Sequence, residues 1–131
     1  MCLTVLNREP KVMKTEQVFY KIVRDCGMEW YRTPYKNFPV SVGKDYQIPE
    51  EDGWGIYFNP FRSTYGVEYG GFHLYERLKD AKADMAILRL DRKNWKYKIL
   101  RAVVPAGTEY YKGLFGDYVS VAVKRVRYEE L

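Results

Sequence analysis

Residues 76–90 read ERLKDAKADMAILRL, and here the apolar residues recur at helical spacing. Leu78, Ala81, Met85 and Leu88 fall at steps of three and four. A helix over 78–90 therefore carries an apolar stripe on one side while Lys79, Lys82 and Arg89 stay in water. The other apolar segments read as strands. QVFYKIV (17–23) and MEWYRT (28–33) flank RDCG, whose Gly27 supplies a turn, and together they predict a hairpin. WKYKILRAVVPAG (95–107) is a strand ended by Pro105 and Gly107, and YVSVAVKRVRY (118–128) is another. In the latter the valines alternate at 119, 121 and 123 but resume at 126, so a bulge or strand end is expected near Lys124. Pro34 and Pro39 interrupt pairing after the first hairpin, and SVGKDYQIPEEDG (41–53) reads as an irregular connection with one short edge strand.

One amphipathic helix among many short strands predicts an α+β fold: a largely antiparallel sheet with one main helix packed on it. Leu78, Met85, Val103 and Val121 are expected in its core. At 131 residues the chain makes a single domain, 1–131, that can bury a core without a metal or disulfide staple.

Residues 53–75, GWGIYFNPFRSTYGVEYGGFHLY, hold eight aromatics and five glycines. The aromatic spacing mimics a helix, but Pro60 inside one would cost roughly 3 kcal/mol and each glycine would weaken it further. Shorter units fit better. WGIYF is a strand, Asn59-Pro60 opens one or two helical turns over FRSTY, and Gly66 stops them. Gly70-Gly71 then permits a kink before FHLY leads into the main helix. Aromatic rings first of all build cores, the role expected for Trp54, Phe58 and Phe72. Thirteen tyrosines exceed what one small core satisfies, since each hydroxyl needs a partner, so several are expected to line a recognition surface.

His73 is the sole histidine, which excludes a histidine-rich metal site and any mechanism that needs two imidazoles. No P-loop or paired-cysteine motif is present, and no cofactor is expected. Cys2 and Cys26 lack metal-ligand spacing and fit a reducing compartment. Cys2 next to a removable Met1 has the placement of an N-terminal nucleophile, but Leu3, Val5 and Leu6 suggest a segment that packs down. No apolar run approaches the roughly 18 residues of a membrane span, and the start lacks a signal-peptide pattern, so a cytoplasmic setting is expected. The net charge of +5 comes mainly from the second half. RLDRKNWKYKILR (89–101) holds six basic residues and one acid around Trp95 and Tyr97, a mixture suited to phosphate contacts and base stacking. The simpler reading makes Lys96 and Lys98 the wet face of a strand that packs Trp95, Tyr97 and Ile99 on its other side.

The Met-Cys-Leu start, VFYKIV, GGFHLYERLKDAKA and VVPAGTEYYKGLFGDYVS together resemble a set of small proteins of gut bacteria and their phages, to which no activity is attached. The order of these pieces is also faintly similar to ADP-ribosyltransferase-like domains. That resemblance implies a dinucleotide ligand held by Tyr20-Lys21, by Gly55–Phe58 or Gly71–His73, and by Asp117. It departs from the family in offering lysine for the usual arginine or histidine, and aspartate for glutamate.

Three functional readings follow. The first is a small binding module, phage or mobile-element encoded, that engages a protein partner or a small nucleotide-like ligand. Its pocket would lie where the GIYF strand, the FRSTY turn and the GGFH bend meet, with Tyr57 or Tyr65 stacking on a base, Arg62 on a phosphate and His73 on a ribose. Lys21 and Asp117 join under the transferase-like ordering. The second reading is a transferase-like enzyme, and the third a nucleic-acid binder using residues 89–101.

Overall fold

The computed structural model describes residues 4–5, 9–28, 30–34, 38–48, 55–59, 64–68 and 72–131. In chain order the elements are β1 (Thr4–Val5), β2 (Lys11–Val12), β3 (Gln17–Asp25), β4 (Tyr31–Arg32), β5 (Pro39–Val40), β6 (Asp45–Gln47), β7 (Gly55–Asn59), β8 (Thr64–Glu68), β9 (Phe72–Tyr75), α1 (Leu78–Asp91), β10 (Lys96–Val104), β11 (Glu109–Phe115), β12 (Tyr118–Val123) and β13 (Arg125–Glu130). Every ladder among the described residues is antiparallel. Neighbouring strands follow the order β6-β13-β10-β3-β9-β12-β11-β1-β8-β7, with β4 added to β3, β5 to β4 and β2 to β11. The fold is thus a large antiparallel sheet with one helix, more β than α. Among the described residues no helix is long and apolar enough to cross a membrane.

The longest ladder joins β3 to β10, from Lys96 opposite Asp25 to Val104 opposite Gln17. Its strands are buried on both faces. On one face Ile22, Tyr97 and Ile99 meet Tyr75, Tyr111, Phe115 and Ala122 beneath the helix, which contributes Ala81 and Leu88, with Leu78 and Met85 packed alongside. On the other face Phe19, Val23, Leu100, Ala102 and Val104 meet Leu74, Val121, Val123, Val126 and Tyr128. The helix covers only the first face.

Curvature of the sheet closes the second. Tyr46 of β6 and Phe72 of β9 stand four strands apart in the order, which in a flat sheet would separate them by about 19 Å. Their ring centroids are 6.2 Å apart, so the sheet curls around the second core as its concave side. Tyr31 and Val40, from the small β4–β5 addition, join the same core. The corner that permits the curl is Lys124, where β12 ends and β13 begins. Its N–H donates to Glu109 O at 3.1 Å, and its carbonyl accepts from Ile48 N–H at 3.0 Å. The chain therefore leaves the β9–β12–β11 region there and crosses to β10 and β6, and Val123 and Val126 enter one core despite their parity.

The helix begins after Arg77, which is extended and makes no side-chain cap, and Asp80 in the first turn and Arg89 in the last match the helix dipole. Asp84 lies on its buried side among apolar neighbours. It is tolerated there because Tyr75 O–H donates to Asp84 Oδ2, tying the helix to β9. Of the expected core, Val103 and Val121 are buried, and Leu78 and Met85 are half-buried against the helix-side cluster. The turn expected over FRSTY is replaced, in its described part, by strand. Thr64 and Tyr65 open β8, and Gly66 pairs with Thr4 and Tyr57 inside it instead of stopping a helix. Residues 60–63 lie outside the described set.

Candidate functional site

Where the helix ends, the sheet continues beyond it, and its helix-side face emerges there. Arg24 near the end of β3 lies across from Tyr97 in β10 and, on its other side, from Arg32 in β4. Residues opposite one another in a ladder share a face, so the two arginines stand side by side. The loop after the helix brings up Trp95, whose N–H donates to Arg92 O at 3.1 Å and whose ring lies 6.4 Å from Tyr97. The Arg24 guanidinium carbon sits 3.8 Å from the centre of the Trp95 ring and that of Arg92 sits 4.3 Å from it. Contact with the indole face holds both cations in place without neutralising them.

Trp30 continues the row, with the Arg32 guanidinium 5.7 Å from its ring centre. Its indole is 59% exposed, on a turn fixed by Cys26 N–H donating to Trp30 O at 2.8 Å and Trp30 N–H donating to Gly27 O at 3.0 Å. Gly27 and Met28 both have positive φ, 88° and 53°, which a glycine accepts freely and Met28 does not. Lys93 is exposed nearby, whereas Lys96, also exposed, lies opposite Asp25 on the other face of the sheet. Among the described residues, Arg24, Arg92, Lys93 and Lys96 have no carboxylate within ion-pair distance. Asp91, Arg92, Lys93, Asn94 and Trp95 line an open depression of about 590 Å³.

Lys98 has a different fate from Lys96. It points to the concave side, forms an ion pair with Glu130 and donates to Tyr31 Oη at 3.2 Å, while Tyr31 donates to Glu130 Oε1 at 3.0 Å. The hydrogen bond to Glu130 holds the Lys98 ammonium above the ordinary lysine range, and the same bond holds the Glu130 carboxyl below the carboxylate range. Burial raises the Tyr31 phenol. The strand face that was expected to be wet at both lysines is open at Lys96, while Lys98, still partly exposed, is engaged by Glu130 and Tyr31. A carboxyl depressed on folding stabilises the fold above its unfolded value near pH 4.3, and this contribution is lost as pH falls through the lower folded value. Glu130→Gln should therefore cost stability at neutral pH but much less near pH 3, as urea unfolding at the two pH values would register. With both side chains more than a third exposed, the neutral-pH cost should stay under about 1 kcal/mol. An equal cost at both pH values would show that ionisation of Glu130 does not contribute.

The residues singled out in the sequence are distributed as follows. Lys21 reaches only the backbone of His73, its Nζ donating to His73 O at 3.1 Å across β3 and β9, while the two side chains lie on opposite faces of the sheet. His73 is half-buried, opposite Ala122, with its ring edge-on to Phe115 at 6.4 Å. Asp117 is exposed on the turn between β11 and β12, four residues along the chain from Val121, which pairs with Leu74. Tyr57 pairs with Gly66 and Tyr65 with Phe58 in β7 and β8, at the far end of the strand order from β9. Arg62 and Cys2 lie outside the described residues. The basic run 89–101 holds Arg92, Lys93 and Trp95 of this face, and Lys96 of the opposite one, whereas Arg24, Trp30 and Arg32 went unread. No family model matches the chain, and no curated protein or solved structure shows significant similarity to it.

Proposed function

We propose that this domain is a small binding module for nucleic acid, which it takes up on the face formed by Arg24, Arg32, Arg92 and Lys93 around Trp95. The observation that carries this reading is the pair of guanidinium groups held over one indole with no described carboxylate to neutralise Arg24 or Arg92. Keeping such charges close costs free energy in the free protein, and a phosphate backbone supplies the anions that recover it. Arginine also suits the role chemically, because its planar fork donates two hydrogen bonds to a phosphate while its face stacks on an aromatic ring.

Amide shift mapping by nuclear magnetic resonance tests the site. Adding a short oligonucleotide at low salt should move the signals of Arg24, Trp30, Arg32 and 92–95 together. Movement confined to β7–β8, or to Lys21 and His73, would contradict this assignment and favour the nucleotide pocket expected from residues 53–75.

The second reading, a nucleotide-like ligand near β3 and β9, rests on one contact, from Lys21 Nζ to the His73 carbonyl, although the two side chains leave opposite faces of the sheet, Lys21 beside Leu100 and His73 beside Ala122 and Phe115. The same titration with a dinucleotide in place of the oligonucleotide separates the two.

A further inference from the structure

Resting on that nucleic-acid reading, we infer that the preferred occupant is a single strand, whose bases stack on Trp30 while its phosphates lie along Arg32, Arg24 and Arg92. The face alternates aromatic and cationic groups in one row. Arg32 lies by Trp30, Arg24 stands opposite Arg32 in the ladder, and Arg24 and Arg92 flank Trp95. A single strand presents the same alternation, since every nucleotide carries a phosphate and an open ring face, and each base stacked on an aromatic ring adds affinity.

The two indoles have different parts. Trp95 is half-buried with both guanidiniums over its ring, so it positions cations. Trp30 is 59% exposed, and its turn is held by two backbone hydrogen bonds and by Asp25 Oδ1, which accepts Gly27 N–H at 2.9 Å. A large ring kept in water on a fixed turn is a stacking platform that needs little ordering on binding.

A duplex offers this face less. Its bases are already stacked, so Trp30 would gain nothing. The row is built from a strand end and two short turns, not from a projecting helix or two-stranded ribbon of the kind that fills a major groove about 12 Å wide. The cations alone would touch a duplex, through phosphates and without base contact.

The experiment compares a fluorescein-labelled dodecathymidylate with a blunt duplex of the same length, by anisotropy at low salt, for the wild type, Trp30→Ala and Trp30→Phe. The wild type should bind the single strand roughly ten-fold or more tightly than the duplex. Trp30→Ala should lose roughly five-fold or more for the single strand and stay within about two-fold for the duplex, and Trp30→Phe should recover part of the loss. Because Trp30 is exposed, these variants should keep the wild-type melting temperature, which confirms that any loss is one of contact. Equal affinity for the two forms, or a Trp30→Ala variant that binds the single strand normally, overturns the single-strand inference while leaving nucleic-acid binding intact. Failure of both forms to bind, or preference for vesicles of anionic lipid over the oligonucleotide, overturns the underlying reading as well.

Discussion

Leu100→Ala should lower the stability of this domain by about 3–5 kcal/mol, which for a chain of this size corresponds to a fall of roughly 10–20 °C in melting temperature. Leu100 is fully buried in the concave core, in the middle of β10, with Lys21 of β3 opposite it on one side and Glu130 of β13 on the other. Ladders on both flanks fix the backbone, so the cavity left by the missing carbons cannot easily close, and the cost belongs near the upper end of the range for such truncations. Against a total stability of about 5–15 kcal/mol the change is severe. The contrast is Leu90→Ala. Leu90 lies 74% exposed on the helix and should change stability by less than about 0.5 kcal/mol. Thermal and urea unfolding of the two variants check the pair. Equal, small effects would mean that the concave core is not the main apolar store of the fold.

That core was the part of the fold hardest to read in the sequence. The helix was legible because Leu78, Ala81, Met85 and Leu88 repeat at helical spacing, and the Lys124 corner was legible because the valine parity breaks there. A single helix suggested a single packed face, yet Ile99, Leu100, Ala102, Val103 and Val104 are all buried, with only Arg101 exposed among them. Such a run is the mark of a strand covered on both sides. What covers the second side is the sheet itself, by curling, and curvature has no local signature. The misread turn at FRSTY has a similar cause. Asn59-Pro60 is a good helix opening by local chemistry, but from Thr64 onward pairing with β7 and β1 overrides it.

The candidate site was legible by halves. Arg92, Lys93 and Trp95 stand in one visibly basic, aromatic run. Arg24, Trp30 and Arg32 are more than fifty residues away in the chain and reach the same face only because β3 pairs with both β10 and β4. Lys96 and Lys98 look equivalent in the sequence, two residues apart in one strand. Only the placement of Glu130 on β13, opposite Leu100, separates a cation exposed to water from one already engaged. Asp84 escaped notice because the apolar stripe passes on both sides of it, although its position three residues after Ala81 places it on the buried face.

The second large effect concerns binding. Arg24→Glu combined with Arg92→Glu removes the two cations over Trp95 and sets two carboxylates facing the phosphates. Affinity for an oligonucleotide at low salt should fall by about 100-fold or more, since like-charge juxtaposition costs several kcal/mol. The fold should survive, because Arg92 is exposed and Arg24 half-buried, and neither has a carboxylate partner among the described residues to lose. The measurement that bears most directly on nucleic-acid binding is therefore an anisotropy titration of wild type and double variant with a labelled dodecathymidylate at about 50 and 200 mM salt. If three or four phosphates are neutralised, wild-type affinity should drop roughly 20- to 50-fold between the two salt concentrations, and the double variant should bind weakly at both. Wild-type binding that ignores salt, or a double variant that binds as tightly as the wild type, would contradict the proposed function.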